Sequence, residues 1–209
     1  MLGQLYDRAL TGERCWLRHD DGRVDLLPVH SWLGGCGSDE RFDQAVVELC
    51  TGPTIDLGCG PGRLVAHLVA RGIPALGVDQ SAAAVQLARR SGAPVLLCDV
   101  FDPLPWTGHW QTVLLADGNI GLSGDPWKVL RRAAELLTSG GCCIAEFDTV
   151  TAGVRTDWVR LESSHSIGPW FRWASVGIDY AAALAEDVGL VLAGIHPIGD
   201  RVIASLKTK

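Results

Sequence analysis

Short apolar runs alternate with amphipathic stretches along most of this chain, beginning near residue 51. The runs are rich in aliphatic residues and end at acidic residues, glycine or proline, as buried strands of a parallel sheet do. Between them, apolar positions recur every three or four residues, which is typical of helices packed on a sheet. The pattern predicts strands at 54–57, 75–79, 94–98, 110–116 and 142–147. Strands that alternate with helices in this way predict a parallel sheet with right-handed crossovers.

The alternation stops after the fifth predicted strand. Residues 149–173 have no sustained period, so the sequence predicts a long and mostly irregular segment there. It is crowded with aromatic residues, namely Trp158, Trp170, Phe171 and Trp173. Loops of this length are usually functional or disordered, and we interpret this one as a lid over an acceptor site. A hydrophobic patch packed on the core would explain the same residues. Beyond it, the pattern predicts a helix through Asp187 and strands at 189–195 and 201–206.

The first fifty residues follow a different pattern from the rest. Leu2 to Leu10 predicts a short helix, and Asp20-Asp-Gly-Arg23 predicts a hairpin turn between two extended segments. A further helix ends near Cys50. The sequence therefore predicts an N-terminal extension, or cap, over residues 1–50 and a main domain over residues 51–209.

The composition excludes several classes of protein. The chain has 209 residues, 47% of them hydrophobic, which is enough for one domain with a substantial core. With 18 Lys and Arg against 24 Asp and Glu the net charge is −6, so a nucleic-acid partner is not expected. No signal peptide or membrane-spanning stretch is recognisable, which predicts a cytoplasmic protein without a membrane partner. Seven scattered cysteines without a C-x-x-C pair predict neither a disulfide framework nor a metal site.

A glycine-rich turn follows the first predicted strand of the main domain. Gly58, Gly60 and Gly62 lie between that strand and a helix, and glycine allows both positive φ and close approach of a ligand to the backbone. Asp56 comes just before the turn, where its carboxylate could hold a positive group. The spacing is G-x-G-x-G, which differs from the G-x-G-x-x-G fingerprint of dinucleotide-binding folds. The turn alone is therefore weakly specific.

Acidic residues at the ends of the next two strands strengthen the interpretation of the glycine-rich turn as part of a ligand-binding site. Asp79 ends the second strand, where nucleoside-binding α/β folds need an acceptor for a ribose diol. Asp99 and Val100 follow the third strand, where a carboxylate can accept from an adenine amino group and a backbone amide can donate to the ring. Since the carboxyl ends of parallel strands share one edge, these residues predict a nucleoside-binding cradle.

These motifs resemble those of the class I S-adenosylmethionine-dependent methyltransferases. The resemblance covers about residues 50–209, and its matching stretches are Ile55–Arg63, Gly77–Ser81, Cys98–Phe101, Leu114–Ile120 and Trp127–Phe147. It implies a doubly wound, mostly parallel seven-stranded sheet with an antiparallel last strand, in three α/β/α layers, plus the N-terminal helix and hairpin. It also implies S-adenosyl-L-methionine as cofactor, bound by Asp56, Gly58, Cys59, Gly60, Gly62, Asp79, Gln80, Asp99, Val100 and Asp117. In this family the loop at Asp117 passes beside the methionine part, although Asp117 and Asn119 could equally stabilise a tight turn.

The resemblance implies in-line methyl transfer, and the acidic chain and the aromatic segment favour a small-molecule acceptor. A general base is needed only if the acceptor is a hydroxyl or a protonated amine. His165, within the predicted lid, is the candidate catalytic base, and a surface or packing role is its alternative. Two other functions stay open: an NAD(P)-dependent oxidoreductase, which the glycine spacing disfavours, and a non-catalytic S-adenosylmethionine-binding module. The sequence does not indicate the acceptor, the methylated atom or the oligomeric state.

Overall fold

A computed structural model of the chain describes residues 3–208, which form two β-sheets and seven α-helices. The strands are β1 (Cys15–His19), β2 (Val24–Leu26), β3 (Thr54–Leu57), β4 (Ala75–Asp79), β5 (Val95–Leu97), β6 (Trp110–Leu115), β7 (Leu137–Phe147), β8 (Val154–Ser163), β9 (Phe171–Val176), β10 (Leu190–Ile198) and β11 (Arg201–Thr208). The helices are α1 (Gly3–Leu10), α2 (Val29–Trp32), α3 (Ser38–Leu49), α4 (Arg63–Ala70), α5 (Ala82–Arg90), α6 (Pro126–Leu136) and α7 (Ala181–Asp187). Short 3₁₀ turns lie at Asn119–Gly124 and Ile178–Tyr180. Leu2, the first residue of the first predicted helix, lies outside the described residues.

The larger sheet has seven strands in the order β10-β11-β7-β6-β3-β4-β5. Strands β3 to β7 pair in parallel, and β11 runs antiparallel to both β7 and β10. All four residues of β3 are buried, because helices cover both faces of the sheet at its centre. The predicted fold class, a mostly parallel seven-stranded sheet with an antiparallel last strand, is confirmed.

Separate apolar clusters hold the helices on the two faces of this sheet. On one face, Phe42 and Val46 of α3 pack with Leu64 and Leu68 of α4. On the other face, α6 and α7 contribute their apolar residues to the largest cluster of the molecule. These packed layers fix the strand ends from which the candidate site is built.

The smaller sheet has four antiparallel strands in the order β2-β1-β8-β9. The prediction of a mostly irregular segment over residues 149–173 is therefore wrong, because β8 and the start of β9 lie within it. Strand β8 has partly exposed residues on both faces, so its sequence lacks the alternation that marks a half-buried strand. The segment is a strand because it pairs with β1, which comes about 140 residues earlier in the chain, and a local pattern does not record such a pairing.

The N-terminal part and the segment after β7 are thus joined in one structure. Helix α1 packs on the smaller sheet, where Leu5 and Ala9 form a buried cluster with Cys15 of β1 and Leu161 of β8. The division at residue 50 stays a prediction about domain organisation, although the smaller sheet takes strands from both sides of it. None of the helices in residues 3–208 is long and apolar enough to cross a membrane.

Candidate active site

A cavity of about 790 Å³ lies between the carboxyl ends of β3, β4, β5 and β6 and the smaller sheet. The predicted cofactor-binding residues that line it are Asp56, Gly58, Cys59, Gly60, Asp79, Gln80, Asp99, Val100 and Asp117. Parallel strands of a doubly wound sheet end at one edge, and this geometry brings together residues up to 61 positions apart in sequence. The opposite wall comes from α1, α2, β1, β8 and β9.

Two predicted site residues are not part of the cavity lining. Gly62 has a φ of +80° and precedes α4, and a Cβ there would lie 2.7 Å from the Cβ of Ala88. Its lack of a side chain is therefore needed for packing between α4 and α5. His165 is exposed in the turn between β8 and β9, away from the cavity. We do not assign a catalytic role to His165.

The glycine turn is held by a side chain from the 3₁₀ turn that follows β6. The amide Nδ2 of Asn119 donates to the carbonyls of Leu57 at 3.0 Å and Gly58 at 2.8 Å. Gly58 has a φ of +78°, and a Cβ there would lie 2.8 Å from that same nitrogen. Asn119, for which the sequence left two roles open, thus fixes the turn while also lining the cavity.

Asp79 forms the centre of the predicted ribose site. Its carboxylate accepts from the backbone N–H of Gly60 at 2.9 Å and from that of Ser81 at 2.8 Å. Burial raises the pKa of Asp79, and the two backbone hydrogen bonds oppose that rise. Each carboxylate oxygen has a second lone pair, so the side chain can still accept from two hydroxyls.

The remaining cradle residues flank this carboxylate. The backbone N–H of Phe101 donates to Asp99 at 3.0 Å, which orders the turn after β5. Gln80 is exposed at the cavity wall, whereas Val100 is buried. Burial raises the pKa of the Cys59 thiol well above its usual range, so this group is a neutral packing residue.

Asp56 is the most perturbed acid of the cavity. It is buried, and no hydrogen bond within residues 3–208 ends on its carboxylate. Burial, followed by the nearby charges of Asp117 and Asp79, raises its pKa to about 8. A buried acid of this kind favours a positive partner, because a cation would restore its ionised form.

Asp56 gives the protein a specific pH dependence. Between about pH 4 and pH 8 the unfolded chain releases the Asp56 proton while the folded chain keeps it, so this group lowers stability as the pH rises. We expect Asp56→Asn to stabilise the ligand-free protein more at pH 8 than at pH 5. Urea unfolding at both pH values measures this, with Asp20→Asn, an exposed site, as control. An effect of Asp56→Asn that is the same at both pH values would contradict the assignment.

A network of buried and partly buried charges surrounds Asp117, at the end of β6. Asp117, which has a positive φ of 53°, accepts from Arg63 and from Arg201, both at 2.6 Å. Arg201 also donates to Glu146 at 2.7 Å, and Arg63 forms a buried ion pair with Asp43 of α3. The carboxylate of Asp117 is therefore held in place by two guanidinium groups. These partners could not be predicted from local sequence patterns, because the residues of each pair are distant along the chain.

Tyr6 of α1 covers the glycine turn from the opposite side. Its ring packs edge-to-face on Trp32 with centroids 5.6 Å apart, and its hydroxyl would lie 3.1 Å from a Cβ at Gly60. Burial and the charge of Asp79 raise the pKa of Tyr6 well above its usual range. The hydroxyl therefore stays protonated and can donate a hydrogen bond into the cavity. Tyr6 thus both packs on Trp32 and lines the cavity.

We divide the rest of the cavity lining into two lobes, one for each face of strand β9. Trp158 pairs directly with Arg172, so these side chains share a sheet face, and Phe171 and Trp173 project from the opposite face. We define the inner lobe by Tyr6, Leu17, Trp32, Leu161, Phe171 and Trp173. We define the outer lobe by Phe101, Leu122, Ser123, Lys128, Trp158 and Arg172. Trp173 borders the loop at Gly118, so the inner lobe lies beside Asp117.

Comparison with known proteins identifies the family. A family model described as a methyltransferase domain matches residues 51–166, which is more than half of the chain. The chain belongs to this methyltransferase family, as the motifs predicted. It is an α/β enzyme with the seven-stranded fold of class I methyltransferases.

Solved structures share this fold at low sequence identity. A SAM-dependent methyltransferase from Bacteroides fragilis, in complex with S-adenosyl-L-homocysteine, is similar with a TM-score of 0.79 and 17% identity, covering 99% of this chain and 94% of that one. A second similar structure is the Burkholderia thailandensis 1,6-didemethyltoxoflavin-N1-methyltransferase, which has 1,6-didemethyltoxoflavin and S-adenosylhomocysteine bound. Its TM-score is 0.61 and its sequence identity 14%, and the match covers 80% of this chain and 78% of that one. The sugar N-methyltransferase KedS8 from Streptoalloteichus is similar with a TM-score of 0.58 and 16% identity, covering 81% of this chain and 86% of that one. At these identities the likeness establishes the fold.

Proposed function

We propose that this methyltransferase takes its methyl group from S-adenosylmethionine and transfers it to a small molecule bound in the inner lobe. The observation that carries this proposal is the cavity itself, which joins the predicted cradle to an aromatic pocket in one space of about 790 Å³. Small-molecule sites have volumes of about 300–1,000 Å³, so the cavity has room for a cofactor and an acceptor together.

The residues of the cradle fit the chemistry of this cofactor. The carboxylate of Asp56 faces the cavity without a hydrogen-bond donor and suits an ammonium group. Asp79 has free lone pairs for the ribose diol, and Gly58 and Gly60 let the ligand approach the backbone closely. Asp99 and the backbone of Val100 are proposed to bind adenine. The structures of the Bacteroides and Burkholderia enzymes contain S-adenosylhomocysteine, which supports the same choice.

When bound, S-adenosylmethionine supplies a methyl group that its sulfonium already activates. The protein's part is to orient the acceptor and to exclude water. Trp173 and Phe171 are proposed to orient the acceptor beside Asp117, and α1 with Tyr6 is proposed to close the cavity over the glycine turn. The acidic groups Asp56 and Asp79, which have no basic partner among the described residues, make the site favourable for a cation such as a sulfonium.

A small, planar acceptor is consistent with the inner lobe. Its walls are aromatic and aliphatic, and the protonated hydroxyl of Tyr6 is its hydrogen-bond donor. Such a lobe orients flat molecules by stacking and excludes chain-like polar ones. The Burkholderia enzyme, which is similar in fold, has the small molecule 1,6-didemethyltoxoflavin bound in its structure.

Calorimetric titration tests the cofactor assignment. We expect S-adenosylmethionine and S-adenosylhomocysteine to bind with micromolar affinity and NADH to show no binding. A preference for NADH would overturn the proposal in favour of the oxidoreductase alternative. Binding of the first two ligands without turnover of any acceptor in a broad screen would favour the non-catalytic alternative.

A further inference from the structure

The outer lobe of the cavity contains two positive side chains that the proposed methyl transfer does not use. Lys128, near the start of α6, and Arg172, on β9, both line this lobe. Within residues 3–208, neither forms a salt bridge with a carboxylate, although the chain carries a net charge of −6. Arg63, the other guanidinium in the lining, is already paired with Asp43 and Asp117. The outer lobe is therefore the positive part of an otherwise acidic cavity.

Two acidic residues that lie near Lys128 and Phe101 in the sequence, Asp125 and Asp99, accept hydrogen bonds from the backbone. Asp125 accepts from the backbone N–H of Lys128 at 2.9 Å, and Asp99 accepts from that of Phe101 at 3.0 Å. The ammonium of Lys128 instead lies 3.8 Å from the centroid of the Phe101 ring. Arg172 has no hydrogen bond from its guanidinium to any of the described residues. Both cations are thus available to a ligand in the cavity.

An aromatic surface lies next to these cations. Trp158 is 50% exposed although it lines the cavity, and its direct pairing with Arg172 places the two side chains side by side on one sheet face. An indole beside a planar guanidinium is suited to a flat molecule with an oxyanion, because the ring stacks while the guanidinium donates paired hydrogen bonds. The lobe therefore combines the two recognition elements that an aromatic anion requires.

The position of the lobe argues against the cofactor as the source of the anion. Lys128 and Phe101 lie beside Val100, at the proposed adenine end of the cradle. The carboxylate of S-adenosylmethionine belongs to its methionine part, which the proposed function puts beside Asp56 and Asp117. Adenine and ribose carry no anionic group, so we assign an oxyanion beside Lys128 and Arg172 to the acceptor.

We propose that the acceptor is an aromatic molecule with an oxyanion, a carboxylate or a phosphate, which binds Lys128 and Arg172 while an aromatic ring of the acceptor stacks on Trp158. This inference rests on the proposed function, because it assigns the outer lobe to the methyl acceptor. It narrows the acceptor from small planar molecules in general to anionic ones that extend around the edge of β9.

Binding of three naphthalene probes to the full chain loaded with S-adenosylhomocysteine tests this proposal. The probes are naphthalene-2-carboxylate, the uncharged naphthalene-2-carboxamide and 2-naphthyl phosphate. We expect the carboxylate or the phosphate to bind at least tenfold more tightly than the carboxamide, with the tighter of the two identifying the source of the oxyanion. The preference should fall at 0.5 M salt, because both cations are exposed.

Variants locate the binding site of the probes. Arg172→Gln is expected to reduce the preference for the anionic probes to about twofold or less, and Arg172→Lys to restore part of it. Trp158→Ala should lower the affinity for all three probes to the same extent, because all three share the naphthalene ring. Arg131→Gln, at an exposed position of α6 outside the cavity lining, is the matched control and should keep the wild-type preference.

Three results would overturn the proposal: no binding of any probe, equal affinities for charged and uncharged probes, or a preference that Arg172→Gln leaves intact. A loss of S-adenosylhomocysteine affinity in Arg172→Gln without a change in probe preference would assign the cation to the cofactor instead. Failure of the proposed function is distinguishable, because S-adenosylhomocysteine itself would then fail to bind the wild-type protein.

Discussion

Arg63→Met is expected to lower the free energy of unfolding by about 3–5 kcal/mol, because it leaves the buried carboxylate of Asp43 without a partner. The side chains of Arg63 and Asp43 are only 6% and 3% exposed, so water cannot replace the lost ion pair. Asp117 keeps its second partner, Arg201, and contributes less to the loss. For a domain of this size the change corresponds to a fall in Tm of about 10 °C, which calorimetry or thermal unfolding by circular dichroism measures.

The other end of the same helix provides the control. Arg71 pairs with Glu48 at 3.6 Å, but both side chains are largely exposed, so Arg71→Met should cost less than about 1 kcal/mol. The double variant Asp43→Leu/Arg63→Met should be more stable than Arg63→Met alone, since it removes the unpaired charge. If the two single variants, Arg63→Met and Arg71→Met, lost the same stability, the buried ion pair would not be the cause.

Asp79→Ala is expected to weaken binding of S-adenosylmethionine and of S-adenosylhomocysteine by about 1–3 kcal/mol, the cost of leaving buried polar groups unpaired. The two ligands share the ribose, so they should lose affinity to the same extent. The loss has two parts, since the carboxylate would no longer accept from the ribose diol and would no longer order Gly60 and Ser81. Isothermal titration calorimetry on folded protein measures the change.

Asp102→Ala is the matched control for this prediction. Asp102 is an exposed carboxylate just beyond β5 and outside the cavity lining, so its removal should leave both affinities within about twofold of wild type. Unchanged affinity in Asp79→Ala would show that the cradle is wrongly assigned. A loss confined to S-adenosylmethionine would point instead to an effect on the sulfonium rather than the ribose.

Much of the large sheet could be predicted from the sequence, because its parallel strands are buried on both faces. The predicted strands at 54–57 and 75–79 have clear ends, and the observed strands Thr54–Leu57 and Ala75–Asp79 match them. The cradle was predictable for the same reason. A residue at the end of a parallel strand lies at the ligand-binding edge wherever that strand is in the sheet, so Asp56 and Asp79 could be assigned from their positions alone.

The glycine turn was predictable only in part. Gly58 and Gly60 line the cavity, whereas Gly62 is required by the packing of α4 on α5. All three have positive φ, so the sequence pattern gives them the same signal. Whether a glycine of this turn faces the cavity or packs against Ala88 depends on the path of the backbone in the folded protein.

Only the tertiary structure decided what lies opposite the cradle. Strand β8 has neither a continuous apolar run nor a clear alternation, and it is a strand because β1 and β9 pair with it. The same pairing leaves His165 in an exposed turn and brings Trp158 beside Arg172. Local sequence records the preferences of neighbouring residues, and these contacts join residues that are distant along the chain.

The sequence by itself thus determined the fold class and the positions of the predicted cradle residues at strand ends, because both depend on local patterns. The tertiary structure alone decided the cavity wall opposite these strand ends and the charge network around Asp117, because each of these is formed by long-range pairing. The partners in that network, Asp43, Arg63, Glu146 and Arg201, are spread over nearly 160 residues, and only the packing of α3 and β11 against the central strands brings their charges together.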